Sequence, residues 1–302
     1  MTIRWENAMR AAILLSAVLG LGVAASARAE VPFVSVTPAV RSFNLGALHL
    51  SVLHDAQIIV PNDGKTFGIG IHPREVGAVL RQAGAPADRI PLSVNVLMLH
   101  VGPRLVLIDT GLSPGNHGDV LGALRSAGET PDAVTDVLIT HPHLDHVGGL
   151  IDAAGRPAFP RATVHMASAA WAWMQKNAAP EVVRAVAGKV RTFEPGARIL
   201  PGIKSVSLPG HTPGHVGYLI VSGHDRLLDI GDIAHSSIVS LARPRWAIQF
   251  DNDEALGSQT RLKTLTMLSK NGEWVYSPHF PFPGVGHIVA RGQGFAWKPG
   301  LP

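Results

Sequence analysis

The stretch HPHLDH, residues 141–146, sets three histidines and one aspartate within six positions. Imidazole nitrogen and carboxylate oxygen are the donors that hold divalent metals such as zinc, and crowding them into one loop is the first requirement for a metal centre. Pro142 cannot continue a strand ladder, and Gly148-Gly149 permit a tight turn into the next helix. His141 and His143 stand two apart and can point the same way while the chain is still extended. Asp145 and His146 come one bend later and aim at an adjacent spot. Two clusters a few ångströms apart suit a pair of ions, which in hydrolytic sites sit roughly 3.5–4 Å from one another.

Four local groups do not complete two sites, so further donors must arrive from distant sequence. Three are well placed, each at a strand end or turn: His211 in LPGHTPGHVGY, Asp232 closing RLLDIGD, and His279 after WVYSP. The chain has no cysteine, which removes thiolate as ligand and as nucleophile and leaves no disulfide. Nitrogen and carboxylate donors without sulfur suit zinc, with iron, manganese or cobalt as alternatives.

The elements that must carry these residues read as strands and helices intermixed. Strand-like apolar runs fall at 47–54, 94–101, 104–109, 136–140, 162–166, 203–208, 216–221, 226–230 and 274–277. Many are continuous Val, Ile and Leu, as expected for strands covered on both faces. Helical patterns lie at 118–127, 168–176, 180–190 and 253–270, so helices cover the sheets in an α/β architecture. Residues 61–91, rich in Gly and Pro, read as a long excursion with one short helix near 74–83, the kind of segment that often forms a lid or binding loop.

The 302-residue chain opens with Arg4 and Arg10, an uncharged apolar run over 11–25, and the small-x-small triplet Ala27, Arg28, Ala29. This is the plan of a secretory signal over residues 1–29, with Glu30 as the first mature residue and Met9 as an alternative start. The apolar run is shorter than the roughly 20 residues that a membrane-spanning helix needs, so no stable anchor is expected after cleavage. The sequence pI of about 9.7 invites a nucleic-acid reading. Removing three arginines and one glutamate with the leader lowers the formal charge from +4 to +2, and the remaining cations are scattered. The expected partner is a small-molecule substrate and not nucleic acid, in an exported protein, periplasmic or secreted; a homodimer is left open.

HPHLDH fits the H-x-H-x-D-H signature, and the chain resembles the metallo-β-lactamase superfamily, with His211, Asp232 and His279 falling in that superfamily's order. The resemblance runs through LVLIDTG, ITHPHLDHVGGL, GHTPGHVGY, DIGD and HFPFPGVGHI. The last of these, with the GQGFAW just after it, is most similar to the subgroup that contains methyl parathion hydrolase and related dihydrocoumarin and acyl-homoserine lactone hydrolases. The resemblance implies a four-layer αβ/βα sandwich over residues 30–302 that holds two divalent metal ions. It assigns His141, His143 and His211 to one ion, Asp145, His146 and His279 to the second, and Asp232 to both. Asp109 in IDTG becomes a carboxylate that steadies a ligand. A metal-bridged hydroxide would then attack a lactone or aryl ester, or a phosphotriester, with Asp145 or Asp232 passing the proton to the leaving group. Open alternatives are a glyoxalase-type thioester hydrolase, a β-lactamase, a mononuclear iron dioxygenase on the same fold and a non-catalytic metal-binding protein.

Some residues divide between roles. His235 comes three residues after Asp232 and either polarises the substrate carbonyl, where some lactonases of the superfamily place a tyrosine, or does nothing catalytic. Trp171 and Trp173 face opposite ways on one helix, so at most one lines a pocket. Phe67 is a lid aromatic within the excursion. Asp251 and Asp253 in FDNDE read as helix caps. His49, His54, His72, His100, His117, His165, His215, His224 and His287 are read as surface or hydrogen-bonded core.

Overall fold

The computed structural model describes residues 32–302, so the signal sequence expected at 1–29 and the cleavage at Glu30 lie outside the described residues. Within them the chain forms two seven-stranded sheets, each made of strands consecutive in sequence. The first runs β1 (Phe33–Leu45), β2 (Leu48–Pro61), β3 (Arg89–Val101), β4 (Arg104–Ile108), β5 (Val134–Leu138), β6 (Thr163–Ala167) and β7 (Val190–Phe193). Its members up to β4 pair antiparallel, and β4 to β7 pair parallel. The second contains β8 (Arg198–Leu200), β9 (Ile203–Ser207), β10 (Val216–Ser222), β11 (Asp225–Asp229), β12 (Trp274–Tyr276), β13 (Val285–Arg291) and β14 (Gly294–Pro299). Here only the β11–β12 pair is parallel.

Parallel strands need a crossover, and helices supply it. The helices are α1 (Pro73–Gln82), α2 (Val120–Ser126), α3 (Leu144–Val147), α4 (Ser168–Asn177), α5 (Pro180–Val186), α6 (Val239–Ala242) and α7 (Glu254–Asn271). None of the described helices is long and apolar enough to cross a membrane.

The central strands of the second sheet are buried on both faces, and the alternation shows which face meets what. Tyr218 and Ile220 of β10, Leu227 of β11, Tyr276 of β12 and Val285 of β13 join the large core shared with the first sheet. The intervening Leu219, Leu228, Val275 and Ile288 pack with Leu265 and Leu268 of α7 and Leu241 of α6. Successive side chains of a strand point to opposite faces, so one sheet seals two cores. On the first sheet, α2, α4 and α5 contribute Ala123, Leu124, Met174, Val182 and Val186 to the shared core. The architecture is the expected αβ/βα sandwich.

Each strand expected from sequence is present; most ends lie within two residues of expectation, as in β5, which ends at Leu138 and not at Thr140, but β2 runs on to Pro61 and β3 starts as early as Arg89. The helix expected over 180–190 stops at Val186, because Val190 already pairs with Val164 in the sheet. Five further strands, β1, β7, β8, β13 and β14, do not stand out in the sequence pattern. β1 and β14 are edge strands, half exposed, and β1 carries Pro38 at an irregularity in its pairing. β7 and β8 are only four and three residues long. The excursion is shorter than expected, since β2 runs to Pro61 and β3 begins at Arg89, and its helix is α1.

Candidate metal centre

Every residue singled out for chemistry sits just beyond the carboxyl end of a strand or in a turn between strands. Asp109 follows β4, His141 to His146 follow β5, His211 lies between β9 and β10, Asp232 and His235 follow β11, and His279 follows β12. The parallel pairs β4–β5 and β11–β12 bring their ends together, where ligands bind in open α/β sheets. The two glycines after His146 do more than turn the chain. A Cβ on Gly149 would meet the Thr110 carbonyl oxygen and one on Gly148 the Ser113 nitrogen, so only glycine lets the histidine loop lie against the loop after β4. Asp109 takes a left-handed conformation at φ +61°, which Asp tolerates better than most residues.

The side chains converge in three overlapping groups. His141, His143, His211 and Asp232 form one; Asp145, His146 and His279 form a second; Asp232, His235 and His279 form a third, each with donor atoms within 4.8 Å of one another. His211 Nε2 lies 2.9 Å from His143 Nδ1 and 3.1 Å from His141 Nε2, which is itself 3.2 Å from His143 Nδ1. Asp232 Oδ2 is shared: it lies 3.5 Å from His141 Nε2, 3.4 Å from His211, 3.3 Å from His146, 3.2 Å from His235 and 3.1 Å from His279. Asp145 Oδ2 stands 3.4 Å from His279 Nε2 and 3.9 Å from His146 Nε2.

The outer nitrogens decide what the inner ones can do. His146 Nδ1 lies 2.7 Å from Asp109 Oδ2, and His279 Nδ1 lies 2.8 Å from the Ser93 carbonyl oxygen. His211 Nδ1 lies 3.1 Å from Asp251 Oδ1. Thr140 Oγ1 donates to Asp109, so it accepts from His141 Nδ1 at 3.0 Å. Each of these acceptors calls for the proton on Nδ1 and leaves a bare Nε2 aimed inward. Four imidazole lone pairs and two carboxylates therefore face one another in a buried space. Among the buried atoms with no hydrogen-bond partner are His146 Nε2, Asp232 Oδ1 and both ring nitrogens of His235. Orphaned buried acceptors are costly, and a cation is the group this donor set fits. The clusters are suited to divalent metal.

The electrostatics divide the cluster: against burial, nearby carboxylates raise His146, His211 and His279, so this part of the site draws in positive charge, as protons or as a cation. Burial, reinforced by neighbouring histidines, pushes the His141 and His143 imidazoles well below their ordinary range, so both are neutral. Burial would lower His146 too, but the carboxylates of Asp232, Asp109 and Asp145 outweigh it and raise its pKa well above the ordinary value. Burial pushes His235 down to about 4, so this ring is neutral as well. Burial opposes ionisation of Asp232, yet the surrounding imidazoles hold its carboxyl well below the usual range.

The remaining expectations sort clearly. Asp109 takes the steadying position, bound to His146 and to the Thr140 backbone and hydroxyl. Asp253 caps α7 by accepting from Leu256 N, but Asp251 is no cap: it holds His211 and a buried Arg261. That correction comes from a contact 40 residues away in sequence, which local spacing cannot show. Trp173 approaches His143 edge-on at 6.0 Å, whereas Trp171 packs against the core. Phe67 is buried, bridges to Ile248 and meets the His235 ring at 6.3 Å, so it is a wall and not a loose flap. His215 is a hydrogen-bonded core residue that supports Asp232: its Nδ1 donates to the Leu208 carbonyl, and its Nε2 accepts from Asp232 N.

The chain belongs to the metallo-beta-lactamase superfamily, whose family description it matches over residues 89–279. Its fold is shared with AidC, a dizinc quorum-quenching lactonase, with a TM-score of 0.81 at 24% identity over 87% of this chain and 98% of that one. The hydrolase AbOPH of the beta-lactamase superfamily superposes with a TM-score of 0.79 at 28% identity over 88% of this chain and 98% of that one. An N-acyl homoserine lactonase from Bacillus sp. is 22% identical over 237 residues, covering 69% of this chain and 86% of the lactonase. The chain spans 57% of the length of two mycobacterial probable metallo-hydrolases, which it matches at 27% identity over 183 residues.

Proposed function

We propose that this chain is a binuclear metal-dependent hydrolase that opens a lactone or cleaves an aryl ester of a neutral, hydrophobic substrate. The observation that carries the reading is Asp232 Oδ2, buried and within 3.1–3.5 Å of histidine nitrogens from both clusters, where one carboxylate would serve ions held by either. In this reading His141, His143 and His211 hold one ion, Asp145, His146 and His279 the other, and Asp232 both. When bound, such a pair supplies Lewis-acid polarisation of the acceptor oxygen and a water acidified enough to ionise near neutral pH.

The chain's own groups divide the remaining work. Asp145 has 17% of its side chain exposed, while Asp232 has 2% and is ringed by imidazoles. Asp145 is therefore the carboxylate placed to carry a proton to the leaving oxygen at the mouth of the site. His235, a neutral ring with Nε2 3.2 Å from Asp232 Oδ2 and no hydrogen-bond partner at Nδ1, is the side chain placed to meet a substrate carbonyl. Phe67 and Phe250 flank its ring at 6.3 and 5.2 Å, and Trp173 stands beside His143. Walls of this kind accept apolar groups and leave few polar contacts to fix the reacting bond. The lactonases among the relatives support the lactone as first choice.

A hydrolysis panel of lactones, aryl esters, phosphotriesters, thioesters and β-lactams on metal-reconstituted protein tests this. Neutral lactones or aryl esters should show the highest kcat/KM. Faster turnover of penicillins or carbapenems would overturn the substrate reading.

A further inference from the structure

Outside the metal cluster, Arg261 of α7 is a charged side chain that is fully buried. Its Nε donates to the Ile233 carbonyl at 2.5 Å, its Nη1 to the Pro244 carbonyl at 3.0 Å and the Trp246 carbonyl at 3.3 Å, and its Nη2 to Asp251 Oδ2 at 2.5 Å. Asp251 spends its other oxygen on His211 Nδ1, at 3.1 Å. The chain around Asp251 is laced to the same turn: Asn252 N donates to the His211 carbonyl and Asp253 N to the Gly210 carbonyl. A Cβ on Gly210 would collide with the backbone of Gly257, so the first turn of α7 lies directly against the His211 turn.

Three lines therefore leave one guanidinium. Through Asp251 it reaches His211. Through Ile233 it reaches the peptide just after Asp232. Through Pro244 and Trp246 it reaches the segment leading to Ile248 and Phe250, which pack beside Phe67 and His235. Replacing a buried ion pair with apolar residues of similar size is often neutral or stabilising, so stability alone is a weak reason for this one. We propose that Asp251 and Arg261 are positioning residues for the metal centre. Asp251 fixes the proton of His211 on Nδ1, which turns a bare Nε2 inward, and Arg261 fixes the separation between His211 and Asp232. Lysine could not replace Arg261, because a point charge offers no planar fork for several carbonyls at once.

The inference rests on the metal-dependent reading, and the test separates the two. Cobalt(II) is titrated into metal-free wild type and into Asp251→Asn, Arg261→Lys and the double variant Asp251→Asn/Arg261→Met, with affinity read by competition with a chelator and geometry by the visible d–d bands. Wild type should bind cobalt, and the double variant, with both charges removed together, should stay folded by circular dichroism. Every folded variant should lose affinity by about 10–100-fold, the usual cost of removing a ligand's supporting partner, and show shifted d–d bands. Folded variants with wild-type affinity and wild-type bands would overturn the inference and leave the metal reading standing. Should the double variant not fold, Asp251→Asn, which keeps the shape of the side chain, and Arg261→Lys decide by the same two readouts. A wild-type protein that takes up no cobalt would remove the metal reading and this inference together.

Discussion

Each inward-facing Nε2 of His141, His146, His211 and His279 is set by what lies behind the ring: a threonine hydroxyl, an aspartate, a second aspartate and a backbone carbonyl. The donors themselves are legible in sequence, because H-x-H-x-D-H and the later His, Asp and His fall at strand ends. Their supports are only partly legible. Asp109 sits in a recognisable IDTG, but Asp251 has the spacing of a helix cap, and nothing nearby announces Arg261. Asp251 reaches His211 across 40 residues of sequence, and Arg261 reaches Asp251 across 10, through contacts that only the fold creates.

Two predictions belong to single residues. Asp232→Ala should lose activity well beyond the roughly 10–100-fold that loss of a supporting partner costs. Asp229→Asn should stay within that range, because burial, with Asp109 nearby, pushes the Asp229 carboxyl well above the usual carboxylate range and its role in the fold is to accept from Gly231 N, which an amide oxygen can also do. Steady-state kinetics on folded variants separates them; equal losses would mean that the wrong aspartate has been placed at the centre.

The second concerns acid. Burial pushes His215 down to about 3, from an ordinary value of 6.5. The folded pKa is depressed, so the native state binds fewer protons than the unfolded state below pH 6.5. The stability this residue contributes is present above that pH and is lost as pH falls toward 3. The full window is worth roughly 5 kcal/mol at about 1.4 kcal/mol per tenfold change in proton binding. Denaturant unfolding between pH 7 and 4 should show a shallower acid limb in His215→Gln than in wild type. Parallel limbs would contradict the assignment.

At the scale of elements, strands buried on both faces are the most legible in sequence, since their apolar runs are unbroken. The edge strands β1 and β14 are hidden because their outer faces meet solvent, and β7 and β8 because they are too short to show a period. The β13–β14 hairpin turns through Gly292, whose φ of +58° suits such a turn, and that glycine is the one local sign of the pair. The helix α4 places Trp173 beside His143 and its neighbour Trp171 in the core. Trp173→Ala should therefore raise KM for a hydrophobic lactone by about tenfold, the loss expected from uncovering one partly buried apolar side chain, while kcat and the unfolding midpoint change little. A variant with unchanged KM would remove Trp173 from the pocket wall. The cap at Asp253 belongs to the same scale: Asp253→Ala should cost about 1 kcal/mol in thermal unfolding without touching the metal cluster.

For the whole molecule, the αβ/βα sandwich arises from alternating strands and helices, and the centre forms where the two sheets bring their carboxyl ends together. Residues on five separate loops meet there, so metal binding and folding should reinforce each other. We propose that the chain is exported after loss of residues 1–29; intact-mass measurement should find a mature start near Glu30, and an intact Met1 on envelope-recovered protein would refute that. The central claim, one carboxylate shared by two ions, is tested most directly by elemental analysis of protein purified without chelator, beside His279→Ala. The account predicts about two divalent ions per wild-type chain and fewer in the variant. A firm stoichiometry of one, with His279→Ala holding as much metal as wild type, would contradict it.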